Sequence, residues 1–136
     1  MTLDEWIALY NKKTPEPFVR DERFAFFFLP DKGFCEVGMK DNCVFIGQLA
    51  GDGRWWKEKV DAMARVFGCK RGSCFFCRRS VPAYLRLFGY KVEGRETIGE
   101  DTKYICSSKD SGKFLFAFPT GHYLHGIQLY YMEWEV

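Results

Sequence analysis

A chain of 136 residues suits one domain with a real core, and 47% apolar with 18% aromatic residues excludes a disordered polypeptide. A formal charge of +2 with no long basic run argues against nucleic acid as a partner. No apolar stretch approaches the length of a membrane-spanning helix, and the N-terminus has no signal-peptide pattern. The expectation is therefore a cytoplasmic protein with no membrane partner, in which Cys35, Cys43, Cys69, Cys74, Cys77 and Cys106 are reduced thiols.

Residues 2–12 predict a short helix, with Thr2 and Glu5 at capping-box spacing and Trp6, Leu9 and Tyr10 on its inner face. The prolines of Thr14–Pro–Glu–Pro17 end it. Phe24–Leu29 and Phe34–Met39 read as strands around the turn Pro30–Asp–Lys–Gly33, and Lys40–Asp–Asn42 turns the chain into a third strand at Cys43–Gly47. Beyond Gly53, Trp56, Val60, Met63 and Phe67 recur at spacings of four, three and four, the apolar stripe of a helix that Gly68 stops. A helix after three meandering strands requires a crossover, so the sheet is expected to be mixed. Cys74–Cys77 suits the next strand. Ser80 caps a short helix with Pro82 in its first turn and Gly89 at its end, and Tyr90–Glu93 and Thr102–Cys106 follow as strands. Phe114–Phe118 and Ile127–Met132 make two more around Pro119–Thr–Gly121.

The stretch joining the third strand to the long helix is Gln48–Leu–Ala–Gly51–Asp–Gly53. One reading is an ordinary glycine turn. The other is a phosphate cradle: a helix start leaves N–H groups unpaired, the helix dipole favours an anion there, and a side chain at Gly51 or Gly53 would hold that anion off the backbone. Gln48, Gly51 and Gly53 match the defined positions of the Q/R-x-x-G-x-G/A motif, so the stretch resembles the coenzyme A loop of the GNAT superfamily, the acyl-CoA-dependent N-acetyltransferases. The order of elements and the length of the helix from Gly53 to Gly68 agree with that family. Leu85–Arg–Leu–Phe–Gly–Tyr90 resembles its closing Y-x-x-x-G-F segment.

The resemblance covers residues 24–107. It implies an α/β fold: a GNAT-like mixed sheet with helices on both faces in a single domain, here with residues 113–136 as an added C-terminal strand pair. It also implies that Phe45, Ile46, Gly47, Gln48, Leu49, Ala50, Gly51, Asp52, Gly53, Arg54 and Trp55 bind acetyl-CoA, and that an acetyl group passes to an amine acceptor. Backbone N–H near Phe45–Gly47 would polarise the thioester carbonyl. Glu36 is the candidate base if its side chain faces the cleft, the alternative being a solvated residue on the outer sheet face. The chain departs from the family where a tyrosine usually protonates the departing thiolate, a position that here is Leu85. Tyr84 is the neighbouring phenol, about 100° round the helix. The rival expectation is a catalytically inactive descendant that binds without turnover.

Other patterns carry less. Cys74-x-x-Cys77 with His122-x-x-His125 has the residue types of a zinc site, but strand residues three apart point to opposite faces, so no metal is expected. Trp55 either stacks on an adenine ring or packs under a loop. Arg78, Arg79 and Arg86 either meet a phosphate or solvate the surface. The aromatic tail offers an exposed strand edge for a homodimer.

Overall fold

The structure, a computed structural model, describes residues 1–136. Helix α1 (Leu3–Lys13) starts on the expected capping box, in which Glu5 N–H donates to Thr2 Oγ1 at 3.2 Å and Thr2 N–H to Glu5 Oε1 at 3.0 Å. Strands β1 (Ala25–Leu29), β2 (Gly33–Lys40) and β3 (Cys43–Gly51) form the antiparallel meander. Helix α2 (Gly53–Val66) crosses over to β4 (Arg71–Phe76), which pairs parallel with β3. Helix α3 (Val81–Leu87) leads into four antiparallel strands, β5 (Tyr90–Ile98), β6 (Asp101–Ser108), β7 (Phe114–Leu124) and β8 (Ile127–Glu135). The chain is thus a mixed α/β domain of three helices and one eight-stranded sheet, ordered β1-β2-β3-β4-β8-β7-β6-β5.

Two expectations need correction. The C-terminal strands are not an appendage: β8 pairs with β4 from Arg71↔Glu135 to Phe76↔Tyr130, so β7 and β8 lie in the middle of the sheet. The reason is that β4 has a second row of backbone donors and acceptors to satisfy, and β8 brings Tyr130, Met132 and Trp134 to the core face at a spacing of two. A dimer through an open edge of these strands then has no edge along residues 114–117 and 130–135, because the outer strands of the sheet are β1 and β5. The second correction concerns the glycine stretch: Gln48–Gly51 continues β3 rather than forming a loop.

Alternation decides the two faces. Cys35 and Val37 of β2, Val44 and Ile46 of β3, Cys74 and Phe76 of β4 and the three β8 residues face one way, and meet Trp56, Val60 and Ala64 of α2 and Val81, Leu85 and Phe88 beside α3. Trp134 is fully buried there; removing about 200 Å² of aromatic surface from water contributes roughly 5 kcal/mol. Its indole N–H donates to Asp61 Oδ1 at 2.8 Å, and Asp61 Oδ2 takes Lys57 Nζ at 2.7 Å, tying α2 to the last strand. On the opposite face Tyr10 of α1 and Phe18 pack on Phe34, so helices cover both faces, the second one chiefly over β2 and β3. Further across, that face carries the aromatic row Phe75, Tyr131, Phe118, Phe116 and Phe114.

Candidate functional site

The sheet opens between its two parallel strands. β3 and β4 pair from Cys43↔Arg71 to Ile46↔Cys74 and no further, while β3 stays on β2 as far as Gly51 and β4 stays on β8 as far as Phe76. The cause is a bulge: between Cys35↔Leu49 and Val37↔Ile46, Gly47 and Gln48 of β3 face the single residue Glu36. An extra residue bends its strand and sharpens the twist, which carries β3 away from β4.

Three cavities meet at this opening. The central one, about 140 Å³, lies between Ile46, Gly47, Leu49, Cys74, Phe76, Tyr84 and Phe88, with Tyr10 and Thr14–Glu16 across from them. On the side of the glycine stretch a cavity of about 470 Å³ is lined by Leu49–Arg54, by Lys13 and Tyr10 of α1, and by Arg78, Tyr84 and Phe88. On the other side a cavity of about 610 Å³ runs under the segment from Val19 to Phe24, against Glu36, Phe45, Gly47, Gln48, Ser73 and Phe75. The first and second share Tyr10, Leu49, Arg78, Tyr84 and Phe88; the first and third share Tyr10, Ile46, Gly47, Cys74 and Phe75.

Charge differs from one mouth to the other. The glycine-side cavity has Lys13, Arg54 and Arg78 against one carboxylate, Asp52. Arg54 is paired with Asp110 and lies near Glu58, whereas Arg78 stands over the Tyr84 ring at 5.0 Å and donates to the Cys77 carbonyl. Neither Arg78 nor Lys13 has a carboxylate within 4.0 Å. Burial, with the neighbouring Cys74 thiol, pushes the Tyr84 phenol well above its ordinary range, and Arg78 works weakly the other way. That phenol is a neutral O–H at any physiological pH.

The glycine stretch is built for packing as well as access. Gly51 has φ +98°, and a Cβ on it would overlap the Lys32 carbonyl oxygen, because Gly33 and Gly51 face each other across β2 and β3. A Cβ on Gly53 would stand 3.0 Å from the Phe88 ring. Gly51 is thus required by the close approach of neighbouring backbone, whatever the cavity holds, whereas Gly53 meets only side chains, that of Phe88 nearest. The seat at the start of α2 has an occupant of its own: Asp52 is the N-cap, its Oδ1 accepts from Trp55 N–H at 3.0 Å, and Lys32 stands 3.5 Å from its other oxygen.

The remaining expected residues separate. Leu49, Ala50, Gly51, Asp52, Gly53 and Arg54 line the glycine-side cavity, Ile46 and Gly47 the opening, and Phe45 and Gln48 the far cavity. Trp55 lines none of them; it stands edge-on to Trp56 at 5.0 Å with Lys32 and Lys59 each 5.3 Å from its ring, which is the packing alternative. Gln48 turns its amide to the Val19 carbonyl and to Glu36 Oε1. Glu36 is 1% exposed, not solvated on the outer face. Its Oε1 accepts from Gln48 N–H at 3.1 Å and Gln48 Nε2 at 2.9 Å, and its Oε2 from Arg20 and from Asp21 N–H, both at 2.9 Å. With both oxygens so engaged, the carboxylate holds the 19–24 segment over the far cavity. Tyr84 faces the opening while Leu85 is fully buried in the core, so the phenol, not the leucine, occupies the cleft. Cys74 donates to the Phe75 carbonyl and Cys77 to that of Ile127, apart from one another, and all six cysteines are buried free thiols. His125 lies at the β7–β8 turn, 3.3 Å from Glu16.

Sequence reasoning missed Lys13 and Tyr10 as cavity residues, and Glu22, Phe24 and Phe75 as the far wall. The inner-face position of Tyr10 was the one available signal. No helix is long and apolar enough to cross a membrane. No protein-family model matches the chain, and no curated protein matches it in sequence.

Proposed function

We propose that this chain is a divergent GNAT-like N-acetyltransferase that takes acetyl-CoA at the glycine-side cavity and moves its acetyl group to an amine reaching the opening from the far cavity. The observation that carries the reading is the parting of parallel β3 and β4 beyond Ile46 and Cys74, with a cation-lined cavity at the glycine end and the Tyr84 phenol inside. The donor set fits an anionic ligand: Lys13 and Arg78 have no carboxylate partner, and three cations face one acid. Acetyl-CoA, when bound, supplies a thioester carbonyl open to attack by a neutral amine.

Lys13 and Arg78 hold the phosphates, with Arg54 adding charge from its pair with Asp110. Apolar side chains of the opening, Ile46, Leu49 and Phe88, exclude water from the thioester. Tyr84 would give its proton to the departing thiolate as the carbon–sulfur bond breaks and regain one from solvent, and its raised pKa means that the phenol starts protonated. The proton shed by the attacking nitrogen goes to solvent through the far cavity, whose roof Glu36 holds through its four donors. Positioning the two reactants is the larger contribution, on the order of 7–11 kcal/mol at best.

A second reading, a non-catalytic protein that binds without turnover, is favoured by Asp52, whose carboxylate stands where a phosphate would meet the start of α2. Thermal melting with acetyl-CoA, followed by thiol release with an amine panel, separates them. At about 100 times the dissociation constant the ligand adds roughly 2.7 kcal/mol of stability. A shift followed by release in the parent, and much slower release from Tyr84→Phe, is the result expected. A shift with no release for any amine leaves the binding protein, and no shift at millimolar acetyl-CoA sinks both.

A further inference from the structure

The far cavity differs in chemistry from the glycine-side one. Its charged lining is Arg20, Asp21, Glu22 and Glu36, three carboxylates to one guanidinium. Arg20 and Glu36 cancel each other at 2.9 Å, which leaves one unpaired carboxylate, Glu22, at the mouth. Asp21 is bound to Arg23, an 86% exposed side chain that does not line the cavity, and Glu22 has no cation within 4.0 Å. The walls are aromatic: Tyr10, Phe24, Phe45 and Phe75, the last 59% exposed. At about 610 Å³ the space is of small-molecule size. The 19–24 segment is tied over it by Gln48 to Val19 and by Glu36 to Asp21 N–H.

We infer that this cavity is the acceptor pocket and that its acceptor is a small primary amine carrying an aromatic ring. The inference rests on the acetyltransferase reading above for its direction of transfer, although the pocket's preference is a property of its own residues. An ammonium group is drawn to Glu22 at the mouth and to the faces of the aromatic walls, and a ring of the same ligand stacks among Phe24, Phe45 and Phe75. The same Glu22 carboxylate repels an acceptor that carries an acid, which sets amino acids and acidic peptides apart. A straight aliphatic amine meets the charge but leaves the aromatic walls in water. The tied segment keeps a folded protein surface from reaching Gly47. From this pocket the nitrogen meets the opening at Ile46, Gly47 and Cys74, the residues shared with the central cavity.

Calorimetric titration of the full chain with phenethylamine, beside 3-phenylpropionate and butylamine, tests the inference. The parent is expected to bind phenethylamine at least about tenfold more tightly than either comparison compound, a difference of about 1.4 kcal/mol. Phe75→Ala and Glu22→Lys, both at exposed positions, are expected to weaken it several-fold with unchanged melting temperature. Equal binding of 3-phenylpropionate, affinity untouched by both variants, or no heat at millimolar phenethylamine overturns the assignment. The two readings fail separately. Phenethylamine binding that Phe75→Ala weakens, with no acetyl-CoA shift, ends the transferase and keeps the pocket. An acetyl-CoA shift with butylamine acetylated as fast as phenethylamine ends the acceptor class and keeps the transferase.

Discussion

The two mouths of the opening face each other across one bulged strand, yet they have opposite charge and different construction. The glycine-side mouth is made of backbone in close approach, with Lys13, Arg54 and Arg78 around it. The far mouth is made of side chains, with aromatic walls, a buried carboxylate that pins its roof, and the unpaired carboxylate of Glu22 at the entrance. The difference teaches that β3 has two jobs. Its Gly51 end allows chain to pack on chain, and its Gly47–Gln48 bulge separates two environments that suit an anion and a cation respectively.

The largest effect is expected where the backbone is tightest. Gly51→Ala forces a Cβ against the Lys32 carbonyl at φ +98°, and the fold should lose on the order of 4 kcal/mol or more, with or without acetyl-CoA. Urea unfolding reads this, and a fully stable variant with weakened ligand binding would return Gly51 to the role of a cradle residue.

A loss on the order of 2–3 kcal/mol is expected in strong alkali, because groups beside the opening are withdrawn from solvent in their protonated form. Burial pushes the Cys74 thiol from 9.0 up to about 12 and raises the Tyr84 phenol too. The folded chain holds protons that the unfolded chain releases, so stability is whole below pH 9 and falls as pH climbs towards 12. Unfolding midpoints at pH 8, 10 and 11 test the sign; a rise with pH contradicts a buried Cys74 and a half-buried Tyr84.

Tyr84→Phe keeps the ring on Phe76, 4.6 Å away, and removes the proton. Thiol release should drop about 10²-fold with little change in KM, and unchanged kcat removes Tyr84 from the chemistry. Arg78→Glu should weaken acetyl-CoA about tenfold, or about 1.4 kcal/mol, and leave phenethylamine alone; equal losses for both ligands would mean that the mouths are not separate. Smallest is Asp52→Asn. Asparagine caps a helix as well as aspartate does, so stability should move by less than about 0.5 kcal/mol, while loss of the carboxylate tightens acetyl-CoA roughly threefold. Weaker binding in that variant would make Asp52 a ligand contact.

Much of the local structure was legible in the residues. The capping box at Thr2 and Glu5, the stripe from Trp56, the turn at Pro30–Gly33 and the cap at Ser80 each report an interaction within a few residues of itself, and each element stands where those signals put it. The exception is Phe67, the last of the stripe, which lies past the end of α2 and is exposed while Ala64 takes the core face. The glycine stretch was recognisable too, but its reason was not. Gly51 answers to Lys32 and Gly33 across the β2–β3 pair, a contact that no spacing within Gln48–Gly53 could announce. Glu36 was picked out as a charge in a strand; its burial and its four donors depend on Arg20, Asp21 and Gln48 converging from two other segments.

By itself the sequence determined three helices, eight strands, their order and the crossover that makes one strand pair parallel, because periodicity, caps and turns are local physics. Only the tertiary structure decided that β8 enters beside β4, that β3 leaves β4 after Ile46, and that Tyr84 rather than Leu85 faces the gap. Those outcomes turn on which strand satisfies which backbone row and on where a bulge adds its bend. Such competitions are settled among residues far apart in the chain, where no short window of sequence holds both partners.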